Sequence, residues 1–130
     1  MKAHRIAHYN EKEQLHRIDG PALEGFDGSN YWYRNGKLHR EDGPTIERAN
    51  GEKEWWHNGM LHRIDGPAIE FVSGFKSWWY MGKRHRTDGP AVERCDGTKA
   101  WYINNKEYTE HQFNDQKLKQ QLIPPEMWVI

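Results

Sequence analysis

Cysteine is almost missing from this chain: Cys95 stands alone in 130 residues, so no intrachain disulfide can brace the fold. A lone thiol suits a reducing compartment, and Cys95 occupies a column held elsewhere by Phe26, Ala49 and Val72, which argues against a reactive thiol. Long apolar runs are missing as well. The opening MKAHRIAHYNEKEQ lacks the hydrophobic stretch of a secretory leader, and nothing later has the length of a membrane span. A cytoplasmic protein without a membrane partner is therefore expected. Excess charge is the third absence: 19 Lys plus Arg balance 19 Asp plus Glu, which removes the bulk electrostatic case for direct nucleic-acid binding. Only 35% of residues are hydrophobic while 13% are aromatic, so rings must supply much of what a single small domain buries.

What the chain does have is internal repetition. LHRIDGPALE begins at Leu15, LHREDGPTIE at Leu38, LHRIDGPAIE at Leu61 and RHRTDGPAVE at Arg84, each 23 residues after the last. Eight columns are identical in all four copies, represented in the first by His16, Arg17, Asp19, Gly20, Pro21, Glu24, Gly28 and Trp32. Composition alone does not produce such agreement; the chain is a tandem duplication.

Each unit carries two turn signals. Asn35-Gly36 and Asn58-Gly59 favour a type I′ turn, in which both central residues need positive φ; Met81-Gly82 and Asn104-Asn105 fill the same column. The second signal is Asp27-Gly28, Asn50-Gly51, Ser73-Gly74 and Asp96-Gly97. Between them lie Tyr31-Trp32-Tyr33, Glu54-Trp55-Trp56, Ser77-Trp78-Trp79 and Ala100-Trp101-Tyr102, which suit strands. Alternation puts one aromatic column in the core and leaves the other partly exposed. Pro21, Pro44, Pro67 and Pro90 cannot donate to a ladder, so a bulge or bend is expected at each. The fold class expected is all-β: an elongated, curved antiparallel meander of 23-residue β-hairpin repeats with a short C-terminal helix.

The run Trp-Tyr-x-Asn-Gly-Lys-Leu-His-Arg-x-Asp-Gly-Pro-Ala resembles the hairpin repeats of the MORN-like superfamily, in the variant frequent in bacteriophage proteins, over roughly residues 9–107. Met81 and Asn105 depart from that pattern at the turn. The resemblance implies a β-hairpin stack used for protein interaction, with no shared enzymatic activity.

An open array needs capped ends. Tyr9 falls in the Trp column and Lys12-Glu13 in the Asn-Gly column, so residues 4–14 read as a degenerate half-unit. Thr109-x-x-Gln112 has the form of a capping box, and Phe113, Leu118 and Leu122 mark one apolar face of a helix ending before Pro124-Pro125. The expected division is a repeat array over 1–108 and a helical cap and tail over 109–130, with the helix packed on the last hairpin.

For chemistry, the His-Arg-x-Asp columns offer metal-ligand types, but equivalent histidines two strands apart lie about 9 to 10 Å from one another. Two nitrogens on one zinc at about 2.0 Å cannot be that distant, so no metal and no cofactor is expected. The columns read instead as structural, with Asp accepting bonds in its turn. The unrepeated His4, His8, His57, Cys95 and His111 are scattered and match no catalytic motif, so no enzyme is expected.

What remains is surface. Asp19, Asp42, Asp65 and Asp88, with Glu24, Glu47, Glu70 and Glu93, form rows of carboxylates that either are balanced by Arg17, Arg40, Arg63 and Arg86 or imitate a nucleic-acid backbone. In the second case the partner is a protein: the basic groove of a host CRISPR or other defence nuclease, blocked by an anti-CRISPR-type inhibitor in the host cytoplasm. The contrasting reading is a passive scaffold whose outward aromatic column, Tyr33, Trp56, Trp79 and Tyr102, serves as a hot-spot row. A nucleotide-sequestering binder is a third, and needs a deep pocket.

Overall fold

The computed structural model describes residues 4–120. Strands are short because each unit is cut by its own proline: β1 (His4–Ala7), β2 (Leu23–Gly25), β3 (Asn30–Tyr31), β4 (Tyr33–Arg34), β5 (Lys37–Leu38), β6 (Ile46–Glu47), β7 (Lys53–Glu54) and β8 (Trp56–His57). The order continues through β9 (Met60–Leu61), β10 (Ile69–Glu70), β11 (Lys76–Ser77), β12 (Trp79–Tyr80), β13 (Lys83–Arg84), β14 (Val92–Glu93), β15 (Lys99–Ile103), β16 (Lys106–Tyr108) and α1 (Glu110–Gln120). Ten of these form one open sheet in the order β1-β2-β3-β6-β7-β10-β11-β14-β15-β16, while β4·β5, β8·β9 and β12·β13 are separate two-stranded ladders. Every pairing is antiparallel and follows chain order, so the fold is an all-β meander with a C-terminal helix.

The two kinds of ladder meet at the invariant tryptophan. Tyr31 pairs with Ile46 and Tyr33 with Leu38, so Trp32 alone faces the whole excursion 39–45. Its N–H donates to Thr45 O at 2.8 Å and its carbonyl accepts from His39 N at 3.1 Å. Trp55 and Trp78 repeat this with Ala68 and His62, and with Ala91 and His85. The expected interruption at proline is thus a seven-residue loop rather than a one-residue bulge. Proline removes a ladder donor, and the preceding Asp-Gly turns the chain out of the sheet.

The hairpin tips behave as their sequence demands. Both central residues have positive φ at Asn35-Gly36 (51° and 80°), at Asn58-Gly59 (48° and 81°), at Met81-Gly82 (47° and 81°) and at Asn104-Asn105 (47° and 72°). Met81 and Asn105 therefore keep the I′ geometry despite departing from Asn-Gly. At the opposite ends only the glycine is left-handed, as in Gly28 at 91°, with Gly25 N donating to Ser29 O and Gly28 N to Gly25 O. This is the three-residue loop closed by a left-handed glycine. The first turn departs from the pattern: Glu13 alone is left-handed (61°), and Asn10 closes the loop through Gln14 N and its own carbonyl.

The ten-stranded sheet and the three two-stranded ladders bury no tryptophan column fully, which overturns the expectation of an aromatic column in the core. Trp32, Trp55, Trp56, Trp78, Trp79 and Trp101 are all half-buried. The buried column is the residue after each proline, Ala22, Thr45, Ala68 and Ala91, where the loop returns beneath the tryptophan. At the C-terminal end, α1 packs on β15 and β16 and buries Phe113. Its start is a reciprocal capping box, Gln112 N to Thr109 Oγ1 at 3.1 Å and Thr109 N to Gln112 Oε1 at 3.0 Å. Leu122 and the Pro124-Pro125 stop lie outside the described residues.

Candidate functional site

The loops between β5 and β6, β9 and β10, and β13 and β14 depart from strand geometry, and one arginine organises each. In the second unit Arg40 Nε donates to Asp42 Oδ1 at 2.9 Å, and Nη1 donates to Pro44 O at 2.9 Å and Glu47 Oε2 at 3.3 Å. The guanidinium lies on the Trp32 ring, 3.8 Å from its centroid. Its other side meets Gly43, where an added Cβ would sit 2.9 Å from Cζ. Arg63 over Trp55 (3.7 Å) and Arg86 over Trp78 (3.9 Å) reproduce the same clasp. Arg, Asp, Gly, Pro, Glu and Trp thus recur because one cation, held by a ring, a carbonyl and two carboxylates, needs all of them.

The histidine column joins one unit to the next. Its Nδ1 accepts the N–H of the first residue of the following tip: Asn35 to His16, Asn58 to His39, Met81 to His62 and Asn104 to His85, all at 2.9 to 3.0 Å. The second tip residue donates to the carbonyl preceding each histidine, as in Gly59 to Leu38 O at 2.9 Å. A ring whose Nδ1 accepts a backbone N–H is neutral and carries its proton on Nε2. Burial pushes His85 and His62 below the usual imidazole range, with His57 adding a smaller push on His62.

Of the residues singled out from sequence, the aspartates face outward. Side chains of Asp19, Asp42, Asp65 and Asp88 are 78–86% exposed, while those of the arginines beneath them are 19–31% exposed. Hydrogen bonds from Arg17 and Arg40, and their charge, hold Asp19 and Asp42 below the ordinary carboxylate range. Glu47, Glu70 and Glu93 turn inward to the arginine Nη1 and are only about a third exposed, so the glutamate row belongs to the clasp and not to a free surface. Glu24 is half-buried on β2. Tyr33, Trp56, Trp79 and Tyr102 recur at the same place in successive units, and the polar atoms of three are engaged: Trp56 Nε1 with Glu54 (2.9 Å), Trp79 Nε1 with Ser77 (2.7 Å) and Tyr102 Oη with Arg84 (3.4 Å). Arg84 sits 5.3 Å from both the Trp79 and Tyr102 rings, filling the gap between them.

Sequence reasoning took His57 as scattered and so missed its place beside the histidine column. It lies beside His39 (ring centroids 4.5 Å apart), and His39, Glu41 and His57 bring ligand-type atoms within 4.8 Å of one another. The tautomer argues against a metal there. His39 Nε2 bears the proton it donates to Glu41 Oε1 at 2.7 Å, because Nδ1 already accepts from Asn58. A metal at Nε2 requires the proton on Nδ1, which would then donate, whereas Nδ1 of His39 accepts from Asn58.

Two clefts separate successive loops. One of about 800 Å³ lies between the second and third and is floored by Trp55, His57 and His62. One of about 590 Å³ lies between the third and fourth and is floored by Trp78, Tyr80 and His85. Apart from Trp56, which lines only the larger cleft, their linings correspond at the 23-residue offset, and Ile64, 83% exposed, stands between them. No family model, curated protein or solved structure matches the chain.

Proposed function

We propose that this chain is a non-catalytic protein-binding array whose row of outward aspartates engages cationic side chains on a partner. The specific target in this reading is the phosphate-binding groove of a host CRISPR or other defence nuclease, so that binding excludes nucleic acid in the host cytoplasm. The observation that carries it is the vertical separation of charge in each loop: arginines are drawn down onto tryptophan, and aspartates remain at the crest. Strand spacing sets the row's pitch at about 9 to 10 Å. The resemblance to MORN-like hairpin repeats supports the protein-interaction class. Because each crest carboxylate is paired, recognition acts at contact range rather than by long-range steering.

Sequence reasoning alone would choose Glu47→Lys and Glu70→Lys as the test, but both glutamates hold the clasp. The triple variant Asp42→Asn, Asp65→Asn, Asp88→Asn is cleaner, since an amide oxygen still accepts from each arginine Nε while the outward charge is gone. The chain is used to capture defence nucleases from a bacterial lysate, with low-salt and high-salt washes and a DNA-competition assay on what is captured. A captured nuclease whose DNA binding is competed, and which is lost both at high salt and with the triple variant, is the expected result. Capture that survives both changes overturns the reading.

A further inference from the structure

The residue between Arg and Asp varies most among the loops: Ile18, Glu41, Ile64 and Thr87. In the second unit it completes a pair, since His39 Nε2 donates to Glu41 Oε1 at 2.7 Å with Arg34 Nη1 3.6 Å from the same oxygen. In the fourth unit the histidine is prepared in the same way. His85 is 7% exposed, and its Nδ1 accepts from Asn104 N at 2.9 Å, so Nε2, itself buried, carries the proton. No described residue accepts it. Buried donors without an acceptor are rare enough to need a reason. Thr87 stands where Glu41 does, Tyr80 stands in the column of Arg34, and both line the same 590 Å³ cleft as His85.

We propose that the cleft between the third and fourth loops is a carboxylate-binding site, in which a ligand carboxylate accepts from His85 Nε2–H as Glu41 accepts from His39. A cation or a metal is excluded by the tautomer, because His85 Nε2 carries a proton and has no lone pair to offer. The charged form of the acceptor is favoured: the hydrogen bond from His39 is the largest influence holding the Glu41 carboxyl below its usual range. Burial keeps His85 neutral, so the site recognises by donation rather than by full charge. Arg63 and Arg86 also line the cleft and offset Asp65 and Asp88, leaving it without net repulsion toward an anion. The carboxylate comes either from a small free acid or from an acidic side chain of another protein. Two crest aspartates, Asp65 and Asp88, rim this cleft, but the donor is His85 and the inference does not depend on what the crest row binds.

The full chain, with ¹⁵N-labelled histidine, is titrated with glutarate and, separately, with a blocked peptide carrying one glutamate, while the imidazole N–H correlations are followed. A saturable shift of His85 Nε2 with His39 unmoved is the expected result; a response to glutarate marks a small-acid site, and a response to the peptide alone marks a side-chain site. Thr87→Glu places the acceptor in cis, moves the His85 signal toward that of His39 and abolishes the response, while leaving every crest aspartate in place. No saturable His85 shift with either probe overturns the proposal, as does a shift of equal size in Thr87→Glu.

Discussion

Arg63 carries more of its loop than any other side chain in it. One guanidinium covers the Trp55 ring, donates to Asp65 and Glu70, and ties down the Pro67 carbonyl. Lysine cannot reproduce that fork. Arg63→Lys is expected to cost about 1.5 to 3 kcal/mol, the range of buried hydrogen bonds to a charged group, read from urea unfolding. Gly66→Ala tests the same clasp from beneath, because its Cβ would lie 3.0 Å from Arg63 Cζ and push the cation off the ring. A loss of about 1 to 3 kcal/mol is expected, as for other overpacked sites. Asp65→Asn should leave the midpoint nearly unchanged, since that carboxylate is solvated. Identity of the arginine column is plain in the sequence; the ring it covers, eight residues back, is not, because no local rule sets that distance.

At the scale of elements, each tip is held from below by the preceding unit. Met81 occupies a left-handed position that asparagine fills at Asn35 and Asn58. Met81→Asn should therefore stabilise the third hairpin by several tenths to about 1 kcal/mol, measured by thermal or urea unfolding, since asparagine accepts that conformation more readily. The histidine joints make the array acid-sensitive. His62 and His85 are depressed in the folded chain relative to the unfolded value near 6.5, so the unfolded state binds more protons as pH falls. Their contribution is complete above about pH 6.5 and is lost as pH drops toward the folded values. Urea midpoints measured from pH 8 to pH 5 should fall across that window, and a flat profile would remove the joint from the account. The Asn-Gly tips were legible as turns; the bond from each tip to a histidine 19 residues earlier was not.

For the whole molecule, a meander in chain order means that each unit touches only its neighbours. Damage should then stay local, as in other one-dimensional arrays. Trp55 is half-buried, so Trp55→Ala is expected to cost about 1.5 to 3 kcal/mol, below the ~3 to 5 kcal/mol of a fully buried ring. Amide hydrogen exchange should quicken in β6 to β10 and remain close to wild type in β15 and β16. Uniform acceleration along the chain would instead indicate one cooperative unit.

Some of this was settled by local chemistry. Positive-φ turns follow from Asn-Gly and its neighbours, the broken ladder follows from a proline that lacks an N–H, and the helix start follows from Thr109 and Gln112; each needs only residues adjacent in the chain. Tertiary structure alone decided which charges face out. Asp and Glu columns look equivalent as letters, yet the arginine, once it lies on tryptophan, reaches inward to Glu70 with Nη1 and leaves Asp65 at the surface. It also brought His57 to His39 and left the buried His85 donor without an acceptor among the described residues, because such meetings depend on strand register between units. Register is a property of the paired sheet, and it does not exist until the units are stacked.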